Sequence, residues 1–147
     1  MLVKIRYKVM KMLVIDADGA VLGRLSSFVA KKLLEGEEVH IINAEKAIIT
    51  GDPKVVLEKY LDRIGRGNPH HGPFFPRQPH RILRRAIRGM LPYKKAKGRN
   101  ALKRLKVYVG VPEVLKDKEA IKMKEKKKCK YITLLELSKL IGGWKET

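Results

Sequence analysis

The sequence predicts an α/β fold in which helices pack on a parallel sheet. Two observations lead there. The runs MLVIDA at 12–17 and VHIIN at 39–43 are apolar almost throughout, as strands buried on both faces are. Helix patterns follow each of them, so the order is strand–helix–strand–helix. A length of 147 residues with 44% hydrophobic content is enough for one domain with a core, even though 33% of the residues are charged.

The elements follow in order. After the first strand, Asp18-Gly19 reads as a turn. Residues 22–35 place Leu22, Leu25, Val29 and Leu33 on one helical face and Lys31 and Lys32 off it. Gly36 then stands where a residue just past a helix end belongs. In TGDP at 50–53, Asp52 can cap free N–H groups and Pro53 has none to lose, so a helix is expected from 54 to about 62. Residues 65–79 hold four Pro and three Gly, which excludes regular structure and predicts an extended arm that orders on binding. Helices are expected at about 80–90 and 97–105, and VYVGV at 107–111 as a late strand ended by Pro112. For the Lys-rich stretch 116–130 a helix is one reading. TLLE at 133–136 is a capping box whose helix should end at Gly142. There is no internal repeat. The expected organisation is an N-terminal extension at 1–11, an α/β domain at 12–112 with a basic insert at about 63–106, and a Lys-rich C-terminal extension at 113–147 ending in a short helix.

Formal net charge is +19, from 34 Lys and Arg against 15 Asp and Glu. Self-repulsion on that scale points to a polyanionic partner. No apolar run reaches the roughly 20 residues of a spanning helix, and 12–15 is too short for a signal-peptide core. These two facts argue against a membrane. Cys129 is the single cysteine, which excludes an intrachain disulfide and fits a reducing, cytoplasmic setting.

The excess charge is local. Residues 1–61 carry 10 basic and 8 acidic side chains, 107–147 carry 10 and 6, but 62–106 carry 14 and only Asp62. A solvated charged face would interleave acids for support, and none lies between Arg63 and Lys106. Within the helix at 80–90, Arg81, Arg84, Arg85 and Arg88 form a ridge, while Ile82, Leu83, Ala86, Ile87 and Met90 keep an apolar rhythm on the other side. Arginine forks bind phosphate bidentately and stack on bases. Lys94, Lys95, Lys97, Arg99, Lys103, Arg104 and Lys106 continue the field. In the arm, Arg63, Arg66, Arg77 and the pair His70 and His71 stand beside Phe74 and Phe75, a composition suited to folded or single-stranded RNA. The two phenylalanines either stack on bases or are buried under the loop. The run 122–130 either touches nucleic acid or is a solvated linker.

Enzymatic readings are thin. GAVLG at 19–23 follows a strand but lacks the remaining elements of a phosphate loop. A turn at Gly19 and close packing at Gly23 account for it. His40, His70, His71 and Cys129 have no metal-ligand spacing. Asp16, Asp18 and Asp52 read as turn and cap residues, and no nucleophile–base pairing is visible. Helix–turn–helix and zinc-finger patterns are missing, which disfavours a sequence-reading DNA binder.

Three motifs carry a family resemblance: NAEKAIITG at 43–51, RGMLP at 88–92 and LKVYVG at 105–110, with VIDADGAVLGRL at the start. In this order they resemble ribosomal protein L13, the universal family uL13, in its archaeal/eukaryotic form. The resemblance implies a three-layer α/β/α domain with a mainly parallel four-stranded sheet, and a non-enzymatic role without cofactor or small-molecule substrate. It implies large-subunit rRNA and neighbouring large-subunit ribosomal proteins as partners, in the cytoplasm. The motif positions it turns toward RNA are Arg66, Arg81, Arg84, Arg85, Arg88, Lys94, Lys95, Lys97, Arg99 and Arg104, with Lys46, Thr50 and Gly51 at a separate loop. Gly89, Met90, Leu91 and Pro92 would turn the chain between two basic helices.

Overall fold

A computed structural model describes residues 12–125 and 129–144. The expected N-terminal extension at 1–11 and part of the Lys-rich run, Lys126, Lys127 and Lys128, lie outside the described residues. Chain order is β1 (Met12–Asp16), α1 (Leu22–Leu34), β2 (Glu38–Ile42), β3 (Ile48–Thr50), α2 (Pro53–Gly65), α3 (Pro79–Gly89), α4 (Ala96–Lys103), β4 (Leu105–Val107), β5 (Ile121–Lys122), β6 (Tyr131–Thr133) and α5 (Leu134–Leu140). Single 3-10 turns occupy Ala44–Lys46 and Glu113–Leu115.

The main sheet has four strands in the order β4-β2-β1-β5, all parallel. Alternation along the strands divides their side chains between two faces. Ile15, Val39, Ile41 and Leu105 join the main core with Leu25, Val29 and Leu33 of α1 and Ile82, Leu83 and Ile87 of α3. Val14 and Ile42 face the other way, onto Leu115 of the 3-10 turn, with Met12, Tyr108 and Ala120 around them. The sheet is therefore packed on both sides, unequally, as a strand apolar on both faces requires. A second, two-stranded antiparallel sheet joins β3 to β6.

The helix ends follow the expected chemistry. Gly36 has φ +94; its N–H donates to Leu33 O at 3.1 Å and that of Glu37 to Lys32 O at 3.2 Å, closing α1 with a Schellman motif. Asp52 Oδ1 accepts from Lys54 N at 3.1 Å ahead of Pro53. Thr133 Oγ1 accepts from Glu136 N at 3.2 Å, and α5 closes at Gly142.

Four expectations change. The late strand lies at Leu105–Val107 and not at 107–111, because the register that pairs Val39 with Leu105 ends at Val107. The stretch 116–130 is not a helix where it is described: it turns and then contributes the two-residue strand β5 beside β1. α2 runs on to Gly65, which places Arg63 in its last turn. Gly23 is not a close-packing residue, since a Cβ there would meet nothing within 4 Å. Two further strands, β3 and β6, had no expectation attached to them.

Candidate nucleic-acid interface

α3 is where the basic segment meets the core. Pro79 at its first position needs no hydrogen-bond partner, and Ile82, Leu83 and Ile87 are buried against the sheet and α1. Met90 does not continue the buried stripe and is 46% exposed, because the helix ends at Gly89 and the chain turns there; Leu91 takes the inward place. The turn is tight. Tyr93 N donates to Leu91 O at 2.8 Å and Lys95 N to Pro92 O at 2.9 Å. Gly98 of α4 then lies on the Pro92 backbone, so close that a Cβ would fall 2.0 Å from the Pro92 carbonyl oxygen.

The four α3 arginines have different surroundings. Arg81 is exposed. Arg85 lies over the Phe75 ring at 5.7 Å and Arg88 over Tyr93 at 4.5 Å. Arg84 instead turns inward and donates to Leu105 O at 3.1 Å and Leu102 O at 3.5 Å, tying α3 to the α4–β4 junction. Arg104 is likewise committed, donating to Leu33 O at 2.6 Å at the end of α1. Lys94, Lys95, Lys97, Arg99 and Lys103 are exposed on and around α4, as is Lys106 on β4.

The arm was expected to order on binding, but its own contacts already order it in the free chain. Asn68 and Gly72 exchange backbone hydrogen bonds at 3.0 and 2.8 Å, and Asn68 Oδ1 accepts from His70 N at 2.9 Å. His70 and His71 occupy the exposed tip of this small loop. Gly67 packs so tightly on Gly72 and Pro73 that no Cβ could be placed there. Arg77 is exposed, while its carbonyl accepts from Ser138 Oγ at 2.7 Å and so joins the arm to α5. Burial under the loop holds for one of the two phenylalanines only: Phe75 packs edge-to-face on Tyr60 at 5.6 Å and 75°, whereas Phe74 is 72% exposed.

Arg63 lies over both Tyr60, at 5.3 Å, and Phe75, at 5.9 Å. Arg66 pairs with Asp62 at 2.7 Å. Among the described residues, it is the only basic side chain between 63 and 106 with a carboxylate partner. Burial holds the His80 imidazole below its ordinary value of 6.5, and the neighbouring Arg81 charge acts in the same direction. His80 therefore adds little to the positive field at neutral pH. Lys46, Thr50 and Gly51 belong to a separate place: Lys46 ends a 3-10 turn, Thr50 pairs with Tyr131 across β3–β6, and Gly51 N donates to Lys130 O at 2.8 Å.

The sequence did not single out Tyr60, Tyr93 or Gly98. The first two had a readable signal, an aromatic within three residues of Arg63 or Lys94 at a helix end. Gly98 had none, since only the fold brings it to Pro92. The phosphate-loop pattern at Gly19 is occupied by the protein itself: Gly19 N donates to Lys46 O at 3.1 Å and Ala20 N to Ala17 O at 3.0 Å. No group of three or more His, Cys, Asp or Glu able to hold a metal occurs among the described residues.

The α/β core thus carries an ordered cationic surface between residues 63 and 106 that is almost uncompensated among the described residues. A family model described as ribosomal protein L13 matches residues 10–114. Proteins named large ribosomal subunit protein uL13 are similar over most of the chain. That of Archaeoglobus fulgidus is 50% identical over 135 residues, 88% of this chain and 86% of the relative. Those of Methanosarcina barkeri and Methanocaldococcus jannaschii are each 54% identical over 90% of this chain, covering 99% and 98% of the relatives. The chain belongs to the ribosomal protein L13 family, whose members are structural components and not enzymes.

Proposed function

We propose that this protein is a structural constituent of the large ribosomal subunit that binds and stabilises folded large-subunit rRNA in the cytoplasm, supporting subunit assembly. The observation that carries this reading is the cationic surface between residues 63 and 106, where one basic side chain has a carboxylate partner among the described residues. The relatives bear the name of a large-subunit protein.

The outward arginines of α3, the lysines around α4 and the arm form the principal contact, with Lys46, Thr50 and Gly51 as a smaller one. Arg84 and Arg104, which hold backbone carbonyls, act mainly by keeping this surface in shape. Neighbouring ribosomal proteins cover part of the remaining surface. The protein works as a clamp: it neutralises phosphates where RNA segments converge and favours their close packing. Anchoring the cations on a folded core reduces the ordering entropy lost on binding.

The test is a salt titration of binding to a structured large-subunit rRNA fragment, with duplex DNA as competitor. If about 6–10 phosphates are engaged, affinity should fall by about 10³–10⁵ between 50 and 200 mM salt, on the duplex scale. Structured RNA should outcompete the DNA. A flat salt response, or equal preference for DNA, would contradict the proposal.

A further inference from the structure

A cleft of about 410 Å³ opens between the end of α2, the arm and α3. Its base is aromatic and aliphatic, from Tyr60, Phe75, Ile82 and Ala86, and its rim carries Arg63, Arg66 and Arg85. Phe74 also lines it and is 72% exposed. We infer that this cleft receives one unpaired RNA nucleotide, its base stacked on Phe74 and its phosphate held by Arg63, Arg66 and Arg85. The inference rests on the RNA-binding reading above and adds to it a subsite with a stated ligand.

The two phenylalanines divide the work. Phe75 is already engaged, with the guanidiniums of Arg63 and Arg85 over its ring at 5.9 and 5.7 Å and Tyr60 at its edge. Those contacts fix both arginines at the rim. Phe74 has no such partner among the described residues, yet it is not loosely placed. Its ring lies against Gly72 closely enough that a Cβ there would fall 3.2 Å from two ring carbons. The Asn68–Gly72 hydrogen bonds hold that glycine. A large aromatic ring is thus presented to solvent from an ordered loop, next to a nucleotide-sized recess.

The chemistry favours an unpaired nucleotide over other occupants. Every base has a π-face that can stack on Phe74, but a continuous duplex hides those faces inside its own stack. An apolar side chain from a protein would fill the recess and leave the rim charges unmatched. A nucleotide's phosphate matches them, and guanidinium forks suit its oxygens. Arg66 can turn from Asp62 to a phosphate, because an exposed ion pair of this kind is weak. The recess also lies within the size range of small-ligand sites, roughly 300–1,000 Å³.

The experiment compares RNA hairpins that are identical except for a single-nucleotide bulge, made with each of the four bases, against the fully paired hairpin. The full chain is used, as wild type, Phe74→Leu and Phe74→Trp. The wild type should prefer at least one bulged hairpin by roughly 5- to 100-fold, the scale of one base–aromatic stack. Phe74→Leu should lose that preference while keeping its affinity for the paired hairpin, and Phe74→Trp should retain it. A 2-aminopurine placed in the bulge should be quenched by the wild type and not by Phe74→Leu. Equal affinity of the wild type for all hairpins would overturn the inference and leave the broader RNA-binding reading standing. So would a bulge preference that survives in Phe74→Leu or vanishes in Phe74→Trp. Failure to bind any hairpin at low salt would overturn both.

Discussion

Arg84 and Arg81 stand three residues apart on α3, but only Arg84 reaches backbone carbonyls, those of Leu105 and Leu102. Replacing Arg84 with Gln removes charged hydrogen bonds at a half-buried site, and should lower stability by about 1–3 kcal/mol. Arg81 has no such partner among the described residues, and Arg81→Gln should leave stability within about 0.5 kcal/mol. Urea unfolding of the two variants measures the difference; equal midpoints would show that the inward contacts of Arg84 do not matter. Gly98 offers a second test. Its Cβ would collide with the Pro92 carbonyl, which is backbone and cannot swing away. Gly98→Ala should therefore unfold at a clearly lower temperature than the wild type, despite alanine's better helix propensity. Calorimetry decides it, and an unchanged or raised midpoint would contradict the close approach.

α3 seats the basic segment on the core. Ile82, Leu83 and Ile87 hold it on α1 and the sheet; Arg81 is exposed, and Arg85 and Arg88, half-buried, lie over the rings of Phe75 and Tyr93. Changing those three arginines together to Gln should preserve the fold and weaken RNA binding. If each contacts one phosphate, the slope of log K against log salt should shrink by about 2 to 3. Circular dichroism checks the fold and a salt series checks the slope. An unchanged slope would remove α3 from the interface. Leaving Arg84 out of this set separates binding from stability, a distinction that helical spacing could not make. Spacing identified the ridge, but which arginine turns inward depends on β4 lying beside the helix.

For the whole molecule, legibility followed the length of each signal. α1, α2 and α5 were readable because glycine, proline, aspartate or threonine marks their ends through local chemistry. The sheet class was readable from two five-residue apolar strands. β5 was not: two residues in a Lys-rich run carry no periodicity, and their pairing exists only because β1 has a free edge. β3 was missed because three residues inside a motif carry little pattern and its partner β6 lies more than 80 positions away. The concentration of charge between 62 and 106 was plain in the sequence. Its division into exposed, aromatic-stacked and structural cations was not, since that follows from tertiary contacts alone. If this charged surface meets large-subunit rRNA, the protein resides in the large ribosomal subunit. Sedimentation of a cell extract through sucrose at moderate and high salt, with each fraction probed for this protein, tests it most directly. Co-migration with the large ribosomal subunit that persists at moderate salt is the expected result. Recovery only in the soluble top fractions would contradict it.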